Sequence, residues 1–334
     1  MPVTAYSLGA AFAVLLEIRY PWIDPVALDL PGPIDVRWYG LMYLVGFTIA
    51  YFILRYLARE RFLKLDPELI GDLITTLVLG VIFGARIGYI LFYDFASFAA
   101  NPLRILRIWE GGLSFHGGLA GVLIAAFWFM RRHGVTFLNL IDSLALAVPF
   151  GILLVRCANF VNGELYGRIA SPEVPWAMRF PTDPVAMQLL GADRLPLRER
   201  EQAIGNAFET GVWDNVRDQV PLRHPSQIYE ALAEGLLLGL ILWAVFAWAR
   251  RRGWRPPEGL FAGIFLLGYG VFRSFVELYR QPDAQFRSPD DPLGTVLGPL
   301  TMGQTLSMVV ILGGLVLLFF AWQNAKRGRR TGPV

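Results

Sequence analysis

The chain has 334 residues, of which 55% are hydrophobic and only 17% charged, and its formal net charge is +3. With a mean hydropathy of +0.46 it is too apolar for an ordinary globular protein of this length and reads as a polytopic membrane protein. The pI of about 9.1 needs no nucleic acid, because the basic residues fall where a bilayer sorts them.

Residues 1–34 carry a short apolar stretch, Leu8 to Leu16, interrupted by Glu17 and Arg19. No Lys or Arg precedes it and no clear small-residue cleavage site follows, so an interfacial or re-entrant segment on the outer face is expected rather than a signal peptide. Continuous apolar runs follow near 38–57, 70–92, 113–130, 138–156, 226–249, 258–279 and 301–322, which predicts seven transmembrane helices. Each is about the 17 to 25 residues that a helix needs to cross ~30 Å of hydrocarbon. Transmembrane barrels show short alternating segments, whereas these runs are continuous and studded with Gly. Between the fourth and fifth runs, residues 163–224 are rich in Pro, Asp, Glu and Arg. They read as a small head inserted into a membrane domain spanning 35–323, with 324–334 as a basic tail.

Basic clusters set the orientation. Arg55, Arg59, Arg61 and Lys64 follow the first run, Arg131 and Arg132 the third, Arg250, Arg251, Arg252 and Arg255 the fifth, and Lys326, Arg327, Arg329 and Arg330 the seventh. Lys and Arg collect on the cytoplasmic side of short loops, so the N-terminus and the head are expected outside (periplasmic) and the C-terminus inside.

That topology gives each intramembrane polar residue a depth. Arg86 falls in the outer half of the second helix, His116 opens the third, Arg156 and Asn159 close the fourth, and Arg273 with Glu277 closes the sixth. Arg37 and Tyr39 begin the first helix on the same side, and Glu230 and Gln304 begin the fifth and seventh. Ionisable groups inside a membrane are functional-site candidates by default, and here arginine outnumbers carboxylate. The set therefore predicts a net positive outer-leaflet pocket for an anion. Each residue taken singly also fits a snorkelling or structural role, and Arg273 with Glu277, four apart, has the spacing of an intrahelical pair. Asp72 and Asp142, near inner helix starts, read as carboxylates favoured at helix N-termini.

Arginine suits phosphate, because it stays charged and its fork donates two parallel hydrogen bonds; a phospholipid head group is the anion most available at that depth. His116 precedes Gly117, Gly118 and Gly121, a spacing that permits close helix contact. Its imidazole fits a general base, a phosphate-orienting donor or a plain hydrogen bond at a helix start. Cys157, the single cysteine, excludes an internal disulfide and a cysteine metal cluster, and reads as a small buried filler rather than a nucleophile. No HExxH or paired-His spacing occurs, so neither a metal nor another cofactor is expected.

Several stretches, taken in order, form a pattern: Arg37-Trp38-Tyr39-Gly40-Leu41-Met42-Tyr43, Gly84-Ala85-Arg86-Ile87-Gly88-Tyr89, Gly112-Leu113-Ser114-Phe115-His116-Gly117-Gly118 and Arg156 through Arg168. His224-Pro225-Ser226-Gln227-Ile228-Tyr229-Glu230, Arg273-Ser274-Phe275-Val276-Glu277 through Arg280-Gln281-Pro282-Asp283, and Met302-Gly303-Gln304 continue it. Together they resemble the bacterial prolipoprotein diacylglyceryl transferases. The resemblance implies a seven-helix enzyme of the bacterial plasma membrane, without a cofactor. Such an enzyme moves a diacylglyceryl group from phosphatidylglycerol to the lipobox cysteine in the signal peptide of a prolipoprotein, forming a thioether and releasing glycerol 1-phosphate. It further implies that the family's essential arginines are Arg156 and Arg273, its histidine His116 and its first-helix tyrosine Tyr39, with functional positions at Asn159, Glu164, Gly167 and Glu277. Val155, Cys157 and Ala158 depart from the family's usual glycine or aliphatic residues beside the arginine.

Such a reaction needs stabilisation of charge developing on the departing phosphate, a role for Arg156 and Arg273 commonly worth about 3 to 4 kcal/mol for one such interaction. It also needs a thiolate, from a thiol whose ordinary pKa is about 8.5. His116 is the candidate base; alternatively it orients the phosphate while the positive field acidifies the thiol. Tyr39, Arg86, Asn159 and Glu164 then line the head-group or peptide site. The rival reading is a transporter or channel for an anionic solute or lipid, which calls for polar residues through both leaflets and for broken helices in matching halves.

Overall fold

The computed structural model describes residues 18–30, 35–106, 112–282, 286, 291 and 293–330. The expected interfacial stretch Leu8 to Leu16, Asp283 of the sixth motif and residues 331–334 of the tail lie outside them.

Each predicted apolar run is helical: Trp38–Arg59, Ile70–Tyr93, Phe115–His133, the pair Phe137–Ala145 and Val148–Val161, Ser226–Arg251, Leu260–Val276 and Met302–Arg330. Among the described residues four helices are long and apolar enough to cross a membrane, Trp38–Arg59, Pro67–Tyr93, Ser226–Arg251 and Met302–Lys326, and a fifth if the bent pair is one span. Leu260–Val276 is apolar but, at 17 residues, shorter. The molecule is thus a mostly helical polytopic membrane protein. It is not all-α: two-stranded antiparallel ribbons pair Val26–Leu28 with Val36–Arg37 and Thr295–Leu297 with Leu300–Thr301.

The predicted fourth helix, 138–156, is not continuous. Phe137–Ala145 and Val148–Val161 meet at a 46° bend, with Pro149 entering the second helix where a missing N–H does no harm. Asp142 does serve a helix N-terminus, as expected, but that of another helix. Instead of serving its own helix start, its carboxylate accepts the backbone N–H of Gly259 at 2.7 Å and of Ala262 at 2.8 Å, capping Leu260–Val276. Asp72 does lie in the first turn of Ile70–Tyr93.

The chain packs as two units. One comprises Gly46–Val148, Val245–Ile264 and the residues from Leu317 on. In it Gly80, Gly84 and Gly88 face Gly117 and Gly121 so closely that a Cβ on Gly88 would lie 2.6 Å from the Gly117 Cα. Ser114 caps Phe115–His133 by accepting the Gly117 N–H at 3.2 Å, and Gly134, at φ +69°, ends that helix in the left-handed region that glycine adopts freely. Here too Asn139 joins the loop at Phe62 and Lys64, and Glu258 accepts from Lys64 and from Thr136.

The other unit takes the described residues up to Val45, with Pro149–Ala244 and Phe265–Val316. Within it, residues 163–224 carry the helices Pro184–Leu189, Leu197–Glu209 and Val212–Val216 around a small core of Ala186, Ala207, Trp213 and Val220. Trp22 stacks on Phe208, Arg37 holds Glu201 through two hydrogen bonds of 2.9 and 2.7 Å, and the Tyr20 hydroxyl reaches the Phe160 and Val161 carbonyls that end Val148–Val161.

Candidate functional site

Three helices of the second unit each contribute a charge to one buried cluster. Arg156 comes from Val148–Val161, Glu230 and Glu234 from Ser226–Arg251, and Arg273 from Leu260–Val276. Arg156 Nε lies 2.6 Å from Glu230 Oε2, while Arg273 Nη1 lies 3.3 Å from Glu230 Oε1, so one carboxylate holds both guanidinium groups. The other arm of Arg273 meets Glu277 at 2.9 Å, and Glu234 stands 4.0 Å from Nη1. Glu230 is 1%, Glu234 0% and Glu277 5% exposed. Glu234 sits in a π-helical stretch, Ala231–Leu237, a rare local form frequent at functional sites.

The expected net positive pocket is therefore corrected. Arg156 and Arg273 face three buried carboxylates, because Glu230 and Glu234 of Ser226–Arg251 and Glu277, just past the end of Leu260–Val276, turn inward with them. Arg273 and Glu277 do form the intrahelical pair their spacing predicts, but as one edge of this cluster. Glu234 escaped the sequence reading. A carboxylate inside the apolar run 226–249, one helical turn after Glu230, is the signal that could have found it.

Around the cluster, Arg156 donates to Asn159 at 3.2 Å and Asn159 donates to Glu164 at 2.8 Å. The Val148–Val161 helix stops just after Asn159, and Gly163, at φ +64°, turns the chain away. Tyr39 contacts Tyr43 with ring centroids 5.4 Å apart, and Tyr43 in turn interacts electrostatically with Arg156 and Glu164. A cavity of about 130 Å³ adjoins the cluster, lined among others by Arg273, Glu277, Arg280, Gln281, Thr301 and Gly303. Thr301 donates to Glu277 at 3.1 Å, and a Cβ on Gly303 would come within 2.6 Å of Glu277 Oε2, so that glycine makes room for the carboxylate. Beside the same helices runs an apolar groove of about 450 Å³ along Tyr229, Leu232, Leu236, Leu240, Phe275 and Tyr279.

Other predicted residues take different positions. Gly167 has its N–H on the His224 carbonyl at 2.7 Å, and a Cβ there would be 2.8 Å from that oxygen, so its smallness serves chain packing. Burial lowers the pKa of His224 itself below the ordinary imidazole value. Arg37 is engaged by Glu201, and Gln304 exchanges hydrogen bonds with Thr301 across the start of its helix, a capping box. Cys157 is half-buried.

Arg86 and His116 belong to the first-described unit. Arg86 is 4% exposed, donates to the carbonyls of Ile105 and Gly112 at 3.1 Å each, and lies over the Phe98 ring at 5.0 Å. Its guanidinium thus fastens the connection leading to Phe115–His133. His116, in the first turn of that helix, is exposed.

The family model for prolipoprotein diacylglyceryl transferase matches residues 25–320. Curated relatives called phosphatidylglycerol–prolipoprotein diacylglyceryl transferase include one from Oleidesulfovibrio alaskensis, 44% identical over 93% of this chain and 97% of its own length. Others come from Vibrio vulnificus, at 42% over 95% and 97%, and Ectopseudomonas mendocina, at 41% over 92% and 97%.

Proposed function

Because the chain belongs to the prolipoprotein diacylglyceryl transferase family, we propose that it moves the diacylglyceryl group of phosphatidylglycerol onto the lipobox cysteine thiol of a prolipoprotein, forming a thioether and releasing glycerol 1-phosphate. It is a transferase, with phosphatidylglycerol and prolipoprotein as substrates. The relatives' shared activity speaks against a transporter. The observation that carries the detailed reading is the convergence of Arg156 and Arg273 on Glu230, within apolar helices and beside a cavity whose lining includes Arg273 and Arg280.

As the sulfur bonds to the glyceryl carbon, the carbon–oxygen bond breaks and its electron pair stays on the phosphate, whose charge grows. Guanidinium groups kept ordered by glutamates are positioned to stabilise that charge, worth about 3 to 4 kcal/mol for one such donor. The carboxylates keep the arginines ordered and give way as the phosphate takes their place. Asn159 and Glu164, with Tyr39 behind Tyr43, orient the head group or peptide, and acyl chain follows the groove along Leu232 and Leu236. Glu277 aims Arg273, whereas the backbone bonds of Arg86 and Gly167 suit positioning roles better than ligand contact. His116 is the candidate acceptor of the thiol proton, with phosphate orientation as its other role. The enzyme spans the bacterial plasma membrane with seven helices, its N-terminus and head outside, and works at the outer leaflet; the basic clusters support that orientation.

The test is transfer by purified protein in phosphatidylglycerol nanodiscs to a lipobox peptide. Thioether peptide is expected with phosphatidylglycerol, and none with a cysteine-to-serine peptide. Failure to form it while lipid and peptide both bind would sink the reading.

A further inference from the structure

Glu234 has a role that the clamp alone does not explain. It is 0% exposed, neither of its oxygens accepts a hydrogen bond, and its nearest guanidinium atom is 4.0 Å away. Glu230, whose oxygens likewise accept no hydrogen bond, and Glu277 differ in lying close to their arginines, at 2.6 Å from Arg156 and 2.9 Å from Arg273. A buried charge held so loosely is expensive, and the neutral acid costs far less. The groups acting on Glu234 are Glu230 from its own helix, Tyr269 and Arg273 from Leu260–Val276, Arg156 from Val148–Val161, and Arg280 at the cavity wall. Glu277 shares the same Arg273.

Counted as charges, Arg156, Arg273 and Arg280 stand against Glu230, Glu234 and Glu277, a sum of zero when all are ionised. Exposed Glu164 is left out, because solvent screens it. A phosphodiester bears one negative charge, so a neutral cluster would become an anionic one on binding it. One proton restores the balance. We propose that Glu234 is a positioning residue that binds the proton which lets these three arginines accept a single phosphodiester head group. The proposal rests on the reading of Arg156 and Arg273 as phosphate ligands.

Proton and lipid then bind together, so lipid affinity falls as pH rises through the titration of Glu234. In nanodiscs of graded phosphatidylglycerol content, wild-type KM for this lipid is expected to climb by up to about tenfold per unit between about pH 6 and pH 9. Glu234→Gln, permanently neutral and nearly isosteric, is expected to lose that slope whatever its kcat. A variant slope equal to the wild-type slope overturns the proposal, as does a wild-type KM flat across the range. Should the variant not fold, proton uptake is read on wild-type protein in weak buffer with an indicator dye. About one proton per lipid bound is expected where KM rises, and none overturns the proposal. Absence of any wild-type transfer strikes instead at the proposed function, and so remains distinguishable.

Discussion

At the scale of single residues, the site depends on arginine being forked rather than merely positive. Arg273 offers one arm to Glu230 and the other to Glu277, which a lysine, a point charge on one nitrogen, cannot do. Arg273→Ala would confound the question, because leaving buried Glu277 without its arginine and Glu230 with one of two costs about 3–5 kcal/mol of stability. Arg273→Lys retains the charge, and is expected to keep the protein folded while lowering kcat/KM for transfer by about 10²–10³. Wild-type kcat/KM in that variant would show that charge alone suffices and that the bidentate geometry plays no part. Most of these residues were legible in the sequence because polar groups are conspicuous in apolar runs. Their partners were not: Glu230 was counted as one more polar residue at a helix start, and only folding shows that it takes two guanidinium groups.

At the scale of elements, glycine decides where helices touch. A Cβ on Gly84 would lie 2.6 Å from the Gly121 Cα, whereas Gly71, in the first turn of the same helix, has nothing within 4 Å. Gly84→Ala is therefore expected to destabilise the protein by about 1–3 kcal/mol through overpacking. Gly71→Ala should stabilise it by up to about 1 kcal/mol through helix propensity alone. Thermal unfolding in detergent reads both, and equal shifts of the same sign would mean that propensity rather than contact governs these sites. The Gly117 to Gly121 spacing already pointed to such a contact, but its partner helix, Ile70–Tyr93, could not be read from spacing. Helix positions were legible for a simple reason, since the length of hydrocarbon fixes the length of the run. The bend before Pro149 was not, because an apolar stretch of 138–156 has the same composition whether straight or broken.

At the scale of the molecule, the proposed orientation rests on charge bias, and the meeting of loops groups the segments that carry the bias. Arg250 pairs with Glu60, and Lys64 and Thr136 both bond Glu258, so the segments following the first, third and fifth apolar runs gather at one end of a single unit. Those segments carry the basic residues, as expected if that end is cytoplasmic. In the other unit Arg37, just before Trp38–Arg59, pairs with Glu201 of the 163–224 segment. The consequence can be read chemically. In a Cys157→Ala background, Glu209→Cys on that segment and Glu68→Cys beside the first basic loop are both at exposed positions. A membrane-impermeant maleimide added to right-side-out spheroplasts is expected to label Glu209→Cys at once, and Glu68→Cys only after lysis. Labelling in the reverse order would invert the topology and move the arginine cluster to the inner leaflet, away from the side on which its substrates are proposed to meet.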